Sequence, residues 1–403
     1  MKKRRIIFRV FPFNRLTFPI LLNSWESEGI DKHFEIVISE TPVKVKDGDV
    51  LLYSFMTPHL PEIHQEINDL KNKNVLIGGG GAHITGDIEL PGKMGFNILF
   101  RGEGEETFVQ FGKDLLEGKI SGELKIYRQE KKLKIDKYLP FSKYFKTVPP
   151  LEIFRGCFWR CKYCQTGSTA YSSRSLHSIN IYLALLKEKG FKRVTFISPS
   201  SLEYGAVKGG NPNRGKILEL IETVRSYNFK YFEYGVFPSE IRPESINEDI
   251  ALALKNNVSN KALTLGGQSG SLQRLRELRR GHDVTDIEEG VRIANSAGFR
   301  ANLDFILGYP DETPTEREET LNFIIKMNKN FKIKAHIHHF FPLSGSEYQF
   351  RFPSYLSENE KDILYKLNRD GFSTKWWEVQ ERQVKKYFFW LKENFPEFID
   401  KYT

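Results

Sequence analysis

The stretch Arg155-Gly156-Cys157-Phe158-Trp159-Arg160-Cys161-Lys162-Tyr163-Cys164-Gln165 contains all three cysteines of this 403-residue chain. Cysteines with the spacing Cys-x3-Cys-x2-Cys are suited to bind three irons of a [4Fe–4S] cluster and to leave the fourth iron without a protein ligand. Clusters that only carry electrons usually take four cysteines, and structural zinc usually takes four Cys or His ligands. The spacing therefore predicts a cluster with one open iron, bound by Cys157, Cys161 and Cys164.

Other uses of these cysteines are disfavoured. An odd number of cysteines at such close spacing does not make a disulfide framework. A zinc site would need a fourth ligand, and the next histidine downstream is His177, with no further Cys-x-x-Cys pair in the chain. Zinc or an incidental group of thiols remains the alternative to the iron–sulfur cluster.

Composition and charge limit the class of protein. Hydrophobic residues make up 40% of the chain, which is typical of a globular protein with a well-formed core. The net charge of +9 is dispersed and forms no long basic tract, so nucleic acid is not indicated as a partner. No apolar run is long enough to span a bilayer, and Arg9, Asn14 and Arg15 interrupt any signal-peptide core. We expect a cytoplasmic protein without a membrane span, in a compartment that keeps thiols reduced.

The N-terminal third reads as alternating strands and helices, which predicts a small parallel, Rossmann-like α/β domain. Strands are expected near residues 6–11, 34–39, 49–55 and 74–78, and a helix near 61–72. The glycine run at 78–81, followed by Ala82 and His83, would let the backbone approach a ligand at the carboxyl end of a strand. It lacks the third glycine of a dinucleotide fingerprint and the lysine of a P-loop, so a tight turn is the alternative interpretation.

A regular repeat of strand and helix begins near residue 149. Strands are expected at 151–155, 192–198, 230–237, 261–266, 300–307 and 334–341, and the clearest helices at 214–227, 283–297 and 315–330. Six parallel strands with intervening helices predict a partial (β/α)6 barrel whose site lies at the carboxyl ends of its strands. The cysteine loop and the segments 198–200, 237–240, 266–271 and 308–310 would share that rim.

Two further features belong to the end of the chain. His336 and His338 alternate onto one face of the last strand, where we expect them to be polar core or substrate contacts rather than metal ligands. Residues 346–403 are predicted to be helical and rich in aromatic side chains, which favours packing onto a neighbouring domain and carries no catalytic signature. The predicted domains are residues 1–140, 141–345 and 346–403.

The cysteine window, Cys-x3-Cys-x-Tyr-Cys, resembles the cluster motif of the radical S-adenosylmethionine (radical SAM) superfamily. Further along the chain, Gln-Ser-Gly-Ser at 268–271, Arg-Gly-His at 280–282 and Asp-Phe-Ile-Leu-Gly-Tyr-Pro-Asp-Glu-Thr at 304–313 are similar to a subfamily of these enzymes. The resemblance extends over roughly residues 50–345. It is closest to an uncharacterised archaeal-type group of cobalamin-binding-domain radical SAM proteins.

The resemblance implies that the amino and carboxylate groups of SAM chelate the open iron. Reductive cleavage of SAM then gives a 5′-deoxyadenosyl radical, so an electron donor of the ferredoxin or flavodoxin type is expected as a partner. Uncharged hydrogen-bonding groups on the rim suit a nucleoside ligand, and Arg280 suits the SAM carboxylate. The residues expected to contact SAM are Tyr163, Ser198, Ser239, Gln268, Ser269, Arg280 and Leu307. No catalytic acid or base can be assigned from the pattern.

The N-terminal third resembles a cobalamin-binding domain, because Ser54-Phe-Met, the glycine run and Gly-Glu-Gly-Glu-Glu at 102–106 follow in the same order. The residues expected to surround cobalamin are Ser54, Gly79, Gly80, Gly81, His83, Glu103 and Glu105. The family's Asp-x-His-x-x-Gly motif is absent: its place reads Phe11-Pro12-Phe13-Asn14-Arg15, and Asp31-Lys32-His33 lies elsewhere and lacks the glycine. We expect cobalt without a histidine ligand from that motif, or a domain that keeps the fold without the cofactor.

The resemblance therefore implies a cobalamin-dependent radical SAM methyltransferase that acts on an unactivated carbon of a substrate the sequence does not identify. A methylthiotransferase acting on tRNA or a ribosomal protein is the enzymatic alternative. It would need three further cysteines for a second cluster, and the chain has none. A non-catalytic iron–sulfur or cobalamin-binding protein is the alternative outside the enzymes.

Overall fold

The structure, a computed structural model, describes residues 3–129 and 133–403. The chain divides into two compact units. The first runs to Pro150 and includes Leu343–Gln349 and Lys386–Tyr402, and the second comprises Leu151–Pro342, Phe350–Lys385 and Thr403. The aromatic C-terminal region thus contributes residues to both units.

The first unit is a parallel α/β sheet with helices between its strands. Its elements are β1 (Arg5–Arg9), α1 (Phe18–Glu28), β2 (Glu35–Ser39), β3 (Val50–Ser54), α2 (Leu60–Asn68), β4 (Leu76–Gly80), α3 (Ala82–Gly86), α4 (Glu89–Met94), β5 (Ile98–Arg101), α5 (Gly104–Leu116) and β6 (Lys125–Arg128). The strand order is β2-β1-β3-β4-β5-β6, and every pairing is parallel. The sequence predicted the parallel α/β class and the strands β1 to β4, because apolar strand segments alternate with helical ones; β5 and β6 were not among the predicted strands.

The core of the first unit lies between the sheet and helices α1 and α5. Trp25 is fully buried there, its ring stacks on Phe108 at 4.4 Å between centroids, and its Nε1 donates to the carbonyl of Phe108 at 2.6 Å. Because all strands are parallel, their carboxyl ends meet at one edge of the sheet, where ligands bind in open α/β folds. The residues expected to surround cobalamin follow strands β3, β4 and β5 at this edge.

The second unit contains the strand–helix repeat predicted for the barrel. Its elements are β7 (Leu151–Glu152), β8 (Phe154–Arg155), β9 (Ser172–Ser173), α6 (Leu176–Glu188), β10 (Arg193–Ile197), α7 (Arg214–Ser226), β11 (Tyr231–Glu233), α8 (Glu248–Asn257), β12 (Ala262–Gln268), α9 (Leu272–Glu277), α10 (Val284–Ser296), β13 (Arg300–Leu307), α11 (Pro314–Asn330) and β14 (Ile333–His339). The C-terminal helices are α12 (Glu358–Arg369), α13 (Trp376–Asn394), whose second half belongs to the first unit, and α14 (Pro396–Ile399).

The barrel strands form two parallel sheets, β11-β10-β7 and β12-β13-β14. A bridge links Ile241, in the segment that follows β11, to Leu265 of β12, with the amide of Ile241 donating to Thr264 at 2.8 Å and that of Gly266 donating to Ile241 at 3.0 Å. The six predicted strands therefore follow one another in chain order around an open barrel. Within the described ranges, no helix combines the length and the apolarity needed to cross a membrane.

Candidate functional site

The cysteine loop lies between β8 and β9 of the second unit, at the start of the barrel. Cys161 is buried, Cys157 and Cys164 are half-buried, and all three are free thiols. The amide of Cys164 donates to the carbonyl of Cys161 at 3.0 Å, which folds the loop into a turn. Burial raises the pKa of the Cys157 thiol to about 11. Three thiols in one short turn match the donor set that a cluster with an open iron requires.

Trp159 fixes the shape of this loop. Its Nε1 donates to Oε1 of Glu203 at 2.9 Å, and the guanidinium of Arg242 lies 3.9 Å from its ring centroid. A side chain on Gly281, whose φ is +75°, would collide with the Trp159 ring. The loop that follows α9 can therefore close on the cysteine loop only because residue 281 is glycine.

Arg280 joins the cysteine loop to the barrel. It is buried, and its guanidinium contacts Cys161 Sγ at 3.5 Å, donates to Tyr163 Oη at 3.1 Å and donates to the carbonyl of Gly266 at 2.8 Å. Burial opposes its charge, but Tyr163 and Cys161 raise the pKa of Arg280 above its ordinary value. Its Nε is buried and has no hydrogen-bond partner in the described part of the chain. A cation beside the cysteines that has an unused N–H donor is suited to bind an anionic group of a ligand.

The end of strand β12 departs from regular geometry beside Arg280. A bulge separates Gly266 from Gln268, and Gln268 has a φ of +71°, in the left-handed region that non-glycine residues rarely adopt. A Cβ on Gly266 would lie 2.7 Å from Nε2 of Gln268 and 3.5 Å from Oε2 of Glu240. Gln268, Glu240 and Arg280 thus surround one glycine at the rim of the barrel.

Glu240 shares a hydrogen bond with the carboxyl of Asp304. Burial raises the pKa of Glu240 to about 8, and the neighbouring Asp304 adds to the rise. Two buried carboxyls in contact cannot both ionise cheaply, so Glu240 keeps its proton near neutral pH. The sequence placed Glu240 on a rim segment but gave no reason to assign it a role.

The other residues expected to contact SAM have different surroundings. Ser198 and Ser239 are buried and bond to each other through their hydroxyls. Ser269 is fully buried, and its hydroxyl lies 3.1 Å from that of Thr320 on α11. Leu307 is buried at the end of β13, where its carbonyl accepts from the amide of Phe340 at 2.8 Å.

A second network behind Arg280 was not anticipated from the sequence. Nδ1 of His282 lies 3.0 Å from Glu244, whose other oxygen accepts from Arg242 Nε at 2.5 Å. Arg242 in turn donates to the carbonyl of Arg280. Burial alone would raise the pKa of Glu244, but the hydrogen bond to His282 and the charge of Arg242 bring it down to about 2. The network holds the Arg280 backbone in place. In the sequence, only the Arg-Gly-His motif at 280–282 pointed to this network.

In the first unit, the glycine run at the end of β4 is packed closely against the protein itself. A Cβ on Gly79 would lie 2.6 Å from Phe96, and one on Gly81, whose φ is +97°, would lie 2.7 Å from the backbone of Phe55 and 2.9 Å from the hydroxyl of Ser54. Gly80 has more room, since the nearest atom is 3.6 Å away on Phe100. Close packing therefore explains why residues 79 and 81 are glycine. Of these three glycines, only Gly80 has free space where a side chain would lie.

The remaining residues expected to surround cobalamin lie at the same edge. His83 is buried with its Nδ1 3.1 Å from the hydroxyl of Thr57; its Nε2 lies 4.0 Å from a carboxylate oxygen of Asp87 and has no hydrogen-bond partner among the described residues. Burial lowers the pKa of His83 to about 3, so its imidazole is neutral. Glu103 precedes α5 and accepts from the amide of Leu133 at 3.0 Å, and Glu105 is buried in the first turn of that helix. An orphaned imidazole nitrogen at the ligand-binding edge is compatible with a bound polar group.

Asn14 holds the loop that follows β1. This is the loop in which the Asp-x-His-x-x-Gly motif of cobalamin-binding domains is absent. The Asn14 side chain accepts from the amide of Phe11 at 2.8 Å and donates to the carbonyls of Arg9 and Ser54, both at 3.0 Å. Phe13 stacks on the ring of His59 at 3.4 Å between centroids. The loop therefore presents aromatic rings at this edge and carries no histidine of its own.

These features define a class of protein. Residues 151–324 match the family model described as the radical SAM superfamily. The chain therefore contains a radical SAM domain, and the family that the cysteine motif predicted is confirmed.

Two relatives show how the similarity extends beyond this domain. An uncharacterised protein of Methanocaldococcus jannaschii is 24% identical over 385 residues, a match that covers 80% of this chain and 74% of that protein. A threonylcarbamoyladenosine tRNA methylthiotransferase of Thermotoga maritima is 26% identical over 234 residues, which cover 56% of this chain and 51% of that enzyme. The chain thus spans about half the length of this methylthiotransferase.

Solved structures match both units. The radical SAM methyltransferase TsrM of Kitasatospora setae, solved with cobalamin and a [4Fe–4S] cluster, aligns with a TM-score of 0.60 and 14% identity over 87% of this chain and 77% of its own. The cobalamin-dependent SAM radical enzyme OxsB, solved with aqua-cobalamin and SAM, aligns with a TM-score of 0.57 and 13% identity over 92% of this chain and 56% of its own. At these identities the similarity shows the fold, and it confirms the predicted architecture of a Rossmann-like domain followed by a partial barrel.

Proposed function

We propose that this protein is a cobalamin-dependent radical SAM methyltransferase that acts on an unactivated carbon. The observation that carries the proposal is the contact between Arg280 and the cysteine loop, at 3.5 Å from Cys161 Sγ, at the rim of a radical SAM barrel. The similarity to cobalamin-binding enzymes over 87% of the chain supports the cobalamin part, because it includes the first unit.

The residues of the second unit fit a cluster and SAM. Cys157, Cys161 and Cys164 would hold three irons, and Arg280 would pair with the SAM carboxylate through its free Nε. Gln268 would offer its amide to the polar groups of SAM. Half-buried Tyr163 and buried Tyr309, with rings 5.7 Å apart, would keep water from the reacting atoms. When bound, the cluster and SAM supply a carbon radical and cobalamin supplies a transferable methyl group; the protein contributes orientation and the exclusion of water.

For cobalamin, the carboxyl edge of the first sheet offers Ser54, Gly80 and the orphaned Nε2 of His83. The loop after β1 has no histidine. This edge would therefore bind cobalamin without a cobalt ligand from that loop. The aromatic pair of Phe13 and His59 would line that side of the site.

A methylthiotransferase is the second candidate, since relatives of that class match part of the chain. The chemistry implied by that family requires a second cluster held by three more cysteines. The 403-residue sequence has three cysteines in all, and the first cluster uses every one of them. The methyltransferase proposal needs only one cluster and therefore fits the cysteine count.

The test is retention of cobalamin by the anaerobically purified, cluster-reconstituted protein. After incubation with hydroxocobalamin and gel filtration, we expect the visible corrin bands to co-elute with the protein at about one equivalent per chain. A Cys157→Ala/Cys161→Ala/Cys164→Ala variant should retain cobalamin while lacking the cluster. An intact cluster without corrin bands would overturn the methyltransferase proposal and leave the radical SAM assignment unaffected.

A further inference from the structure

Strands β13 and β14 bring one carboxylate and two imidazoles together inside the barrel. Their parallel register pairs Asp304 with His336 and Ile306 with His338. Because side chains alternate along a strand, Asp304, His336 and His338 share one face of the sheet. A nitrogen or carboxylate oxygen from each lies within 4.8 Å of those of the other two.

The distances within this group suit one small cation. Oδ1 of Asp304 lies 3.5 Å from Nδ1 of His336, and the two imidazole rings have centroids 4.4 Å apart. Two ligand atoms at metal–ligand distances of about 2.0–2.2 Å are separated by about 3.0–3.5 Å in tetrahedral or octahedral geometry. The three side chains therefore need to move little to bind the same ion.

The hydrogen bonds of His338 orient it as a ligand. Its Nδ1 lies 3.2 Å from Oε1 of Gln380, and the same oxygen accepts from the backbone amide of His339 at 3.0 Å. Because a backbone amide can only donate, the Gln380 atom is an acceptor, and Nδ1 of His338 must carry the proton. The lone pair of the neutral ring is then on Nε2. In metal-binding histidines, one ring nitrogen typically makes a hydrogen bond, and the other binds the metal through its lone pair.

The surroundings of Asp304 leave room for a cation as a partner of its carboxyl. Its carboxyl is buried, and no lysine or arginine pairs with it in the described parts of the chain; its neighbours are His336 and the carboxyl of Glu240. His339, by contrast, lies on the opposite face of β14, and its Nδ1 is 3.0 Å from the carbonyl of Phe340. The group that could hold an ion is thus limited to the face shared by Asp304, His336 and His338.

We propose that Asp304, His336 and His338 bind one divalent transition-metal ion inside the barrel, separate from the cysteine loop. Two imidazoles and one carboxylate form the ligand set used for divalent iron and related ions, and they leave positions open for water or an oxygen- or nitrogen-bearing group of a substrate. Gln380 acts as a positioning residue through His338. The proposal differs from the sequence-based expectation that His336 and His338 are polar core or substrate contacts.

The test uses Co(II), added anaerobically to the cluster-loaded full chain and to the Cys157→Ala/Cys161→Ala/Cys164→Ala variant. We expect about one equivalent to bind in both, with ligand-field absorption and no thiolate charge-transfer band. His338→Ala and Asp304→Asn should each weaken binding at least about 10-fold, and Gln380→Leu about 10–100-fold, since it removes the partner that orients His338. His177→Ala, which removes an exposed histidine of the same unit, should leave binding unchanged.

Several results would overturn the proposal. One is the lack of stoichiometric Co(II) binding by either protein. Another is binding that disappears with the cysteines and is unaffected by His338→Ala. If Asp304→Asn fails to fold, as judged by circular dichroism, the Gln380→Leu variant decides: unchanged affinity in a folded Gln380→Leu protein contradicts the role assigned to His338.

Discussion

At the scale of single residues, Arg280 is the side chain that connects the cysteines to the barrel. It contacts Cys161, Tyr163 and Gly266 at once, which requires the fork of a guanidinium. We expect Arg280→Lys to keep its cluster and to bind SAM at least about 10-fold more weakly, a loss of about 1.4 kcal/mol or more. The measurement is equilibrium dialysis of SAM with reconstituted protein, with iron content determined in parallel.

Arg276→Lys is the matched control, because Arg276 is exposed on α9, the helix that precedes Arg280. Its SAM affinity should equal that of the unmodified protein. An Arg280→Lys protein that has a full cluster and undiminished SAM affinity would show that Arg280 only supports the loop.

Glu244 predicts a pH dependence of stability. Its pKa in the folded protein is about 2, against an ordinary value of 4.5, because the bonds from His282 and Arg242 outweigh burial. A lowered pKa stabilises the folded state above pH 4.5, and this contribution is lost as the pH falls from 4.5 toward 2. Glu244→Gln should therefore be less stable than the unmodified protein at pH 7, by on the order of 3 kcal/mol at most, and the difference should shrink at pH 3.

Thermal melting of the two proteins at pH 7 and pH 3, followed by circular dichroism, measures this difference. Glu318→Gln, which removes an exposed carboxyl, controls for the general effect of acid on the protein. If the unmodified protein and Glu244→Gln differ in stability by the same amount at pH 7 and pH 3, the account of the Glu244 network is contradicted.

Sequence patterns located some of these residues and not others. The cysteine spacing and the Arg-Gly-His motif are local, so Cys161 and Arg280 could be picked out before the fold was known. The contact of Asp304 with His336 depends on the register of two strands whose paired residues are 32 positions apart, and a one-residue slip would remove it. Ser269 was expected to contact SAM; the bond of its hydroxyl to Thr320 on α11 could not be seen in the sequence, and its contact with SAM stays a prediction.

At the scale of elements, the loop after α9 closes on the cysteine loop through Gly281. Its φ of +75° and the adjacent Trp159 ring exclude a Cβ for two separate reasons. Gly190 has the same backbone strain, at φ +76°, with nothing within 4 Å of a built Cβ. Gly190→Ala should therefore cost only about 1–2 kcal/mol of strain, or a few degrees in melting temperature. Gly281→Ala should lose more stability and also lose cluster iron, because Trp159 is displaced.

Melting temperature and iron per chain after reconstitution distinguish the two glycine variants. Equal losses in both would mean that backbone strain alone explains Gly281 and that Trp159 does not set the shape of the cysteine loop.

The glycine run of the first unit offers a similar comparison. A methyl group at Gly79 would press on Phe96 and Ile84, whereas one at Gly80 would make ordinary contacts with Phe100. We expect Gly79→Ala to destabilise the protein by about 1–3 kcal/mol through overpacking and Gly80→Ala to melt close to the unmodified protein. Denaturant unfolding measures both, and a Gly79→Ala variant of unchanged stability would refute the packing explanation of the run.

The strand and helix pattern was largely predictable at this scale, because a regular alternation of apolar and amphipathic segments indicates a parallel α/β fold. The helices expected at 214–227, 283–297 and 315–330 are present as α7, α10 and α11, within a residue or two. The division of the C-terminal region between two units was not predictable. The aromatic side chains of α13 indicate burial, and the sequence does not say against which surface.

At the scale of the whole molecule, a radical SAM domain follows an α/β unit of the kind found in cobalamin-binding enzymes. Three cysteines allow one cluster, and that cluster would occupy the position beside Arg280 where SAM is expected to bind. The central claim is that the chain carries out radical SAM chemistry, which needs the cluster, SAM and a reductant together.

Formation of 5′-deoxyadenosine by the anaerobically reconstituted protein, given SAM and dithionite, tests this claim most directly. We predict that the product accumulates with the unmodified protein and is absent with the Cys157→Ala/Cys161→Ala/Cys164→Ala variant. Failure to form 5′-deoxyadenosine by a protein whose cluster is intact by iron content and visible spectrum would contradict the account.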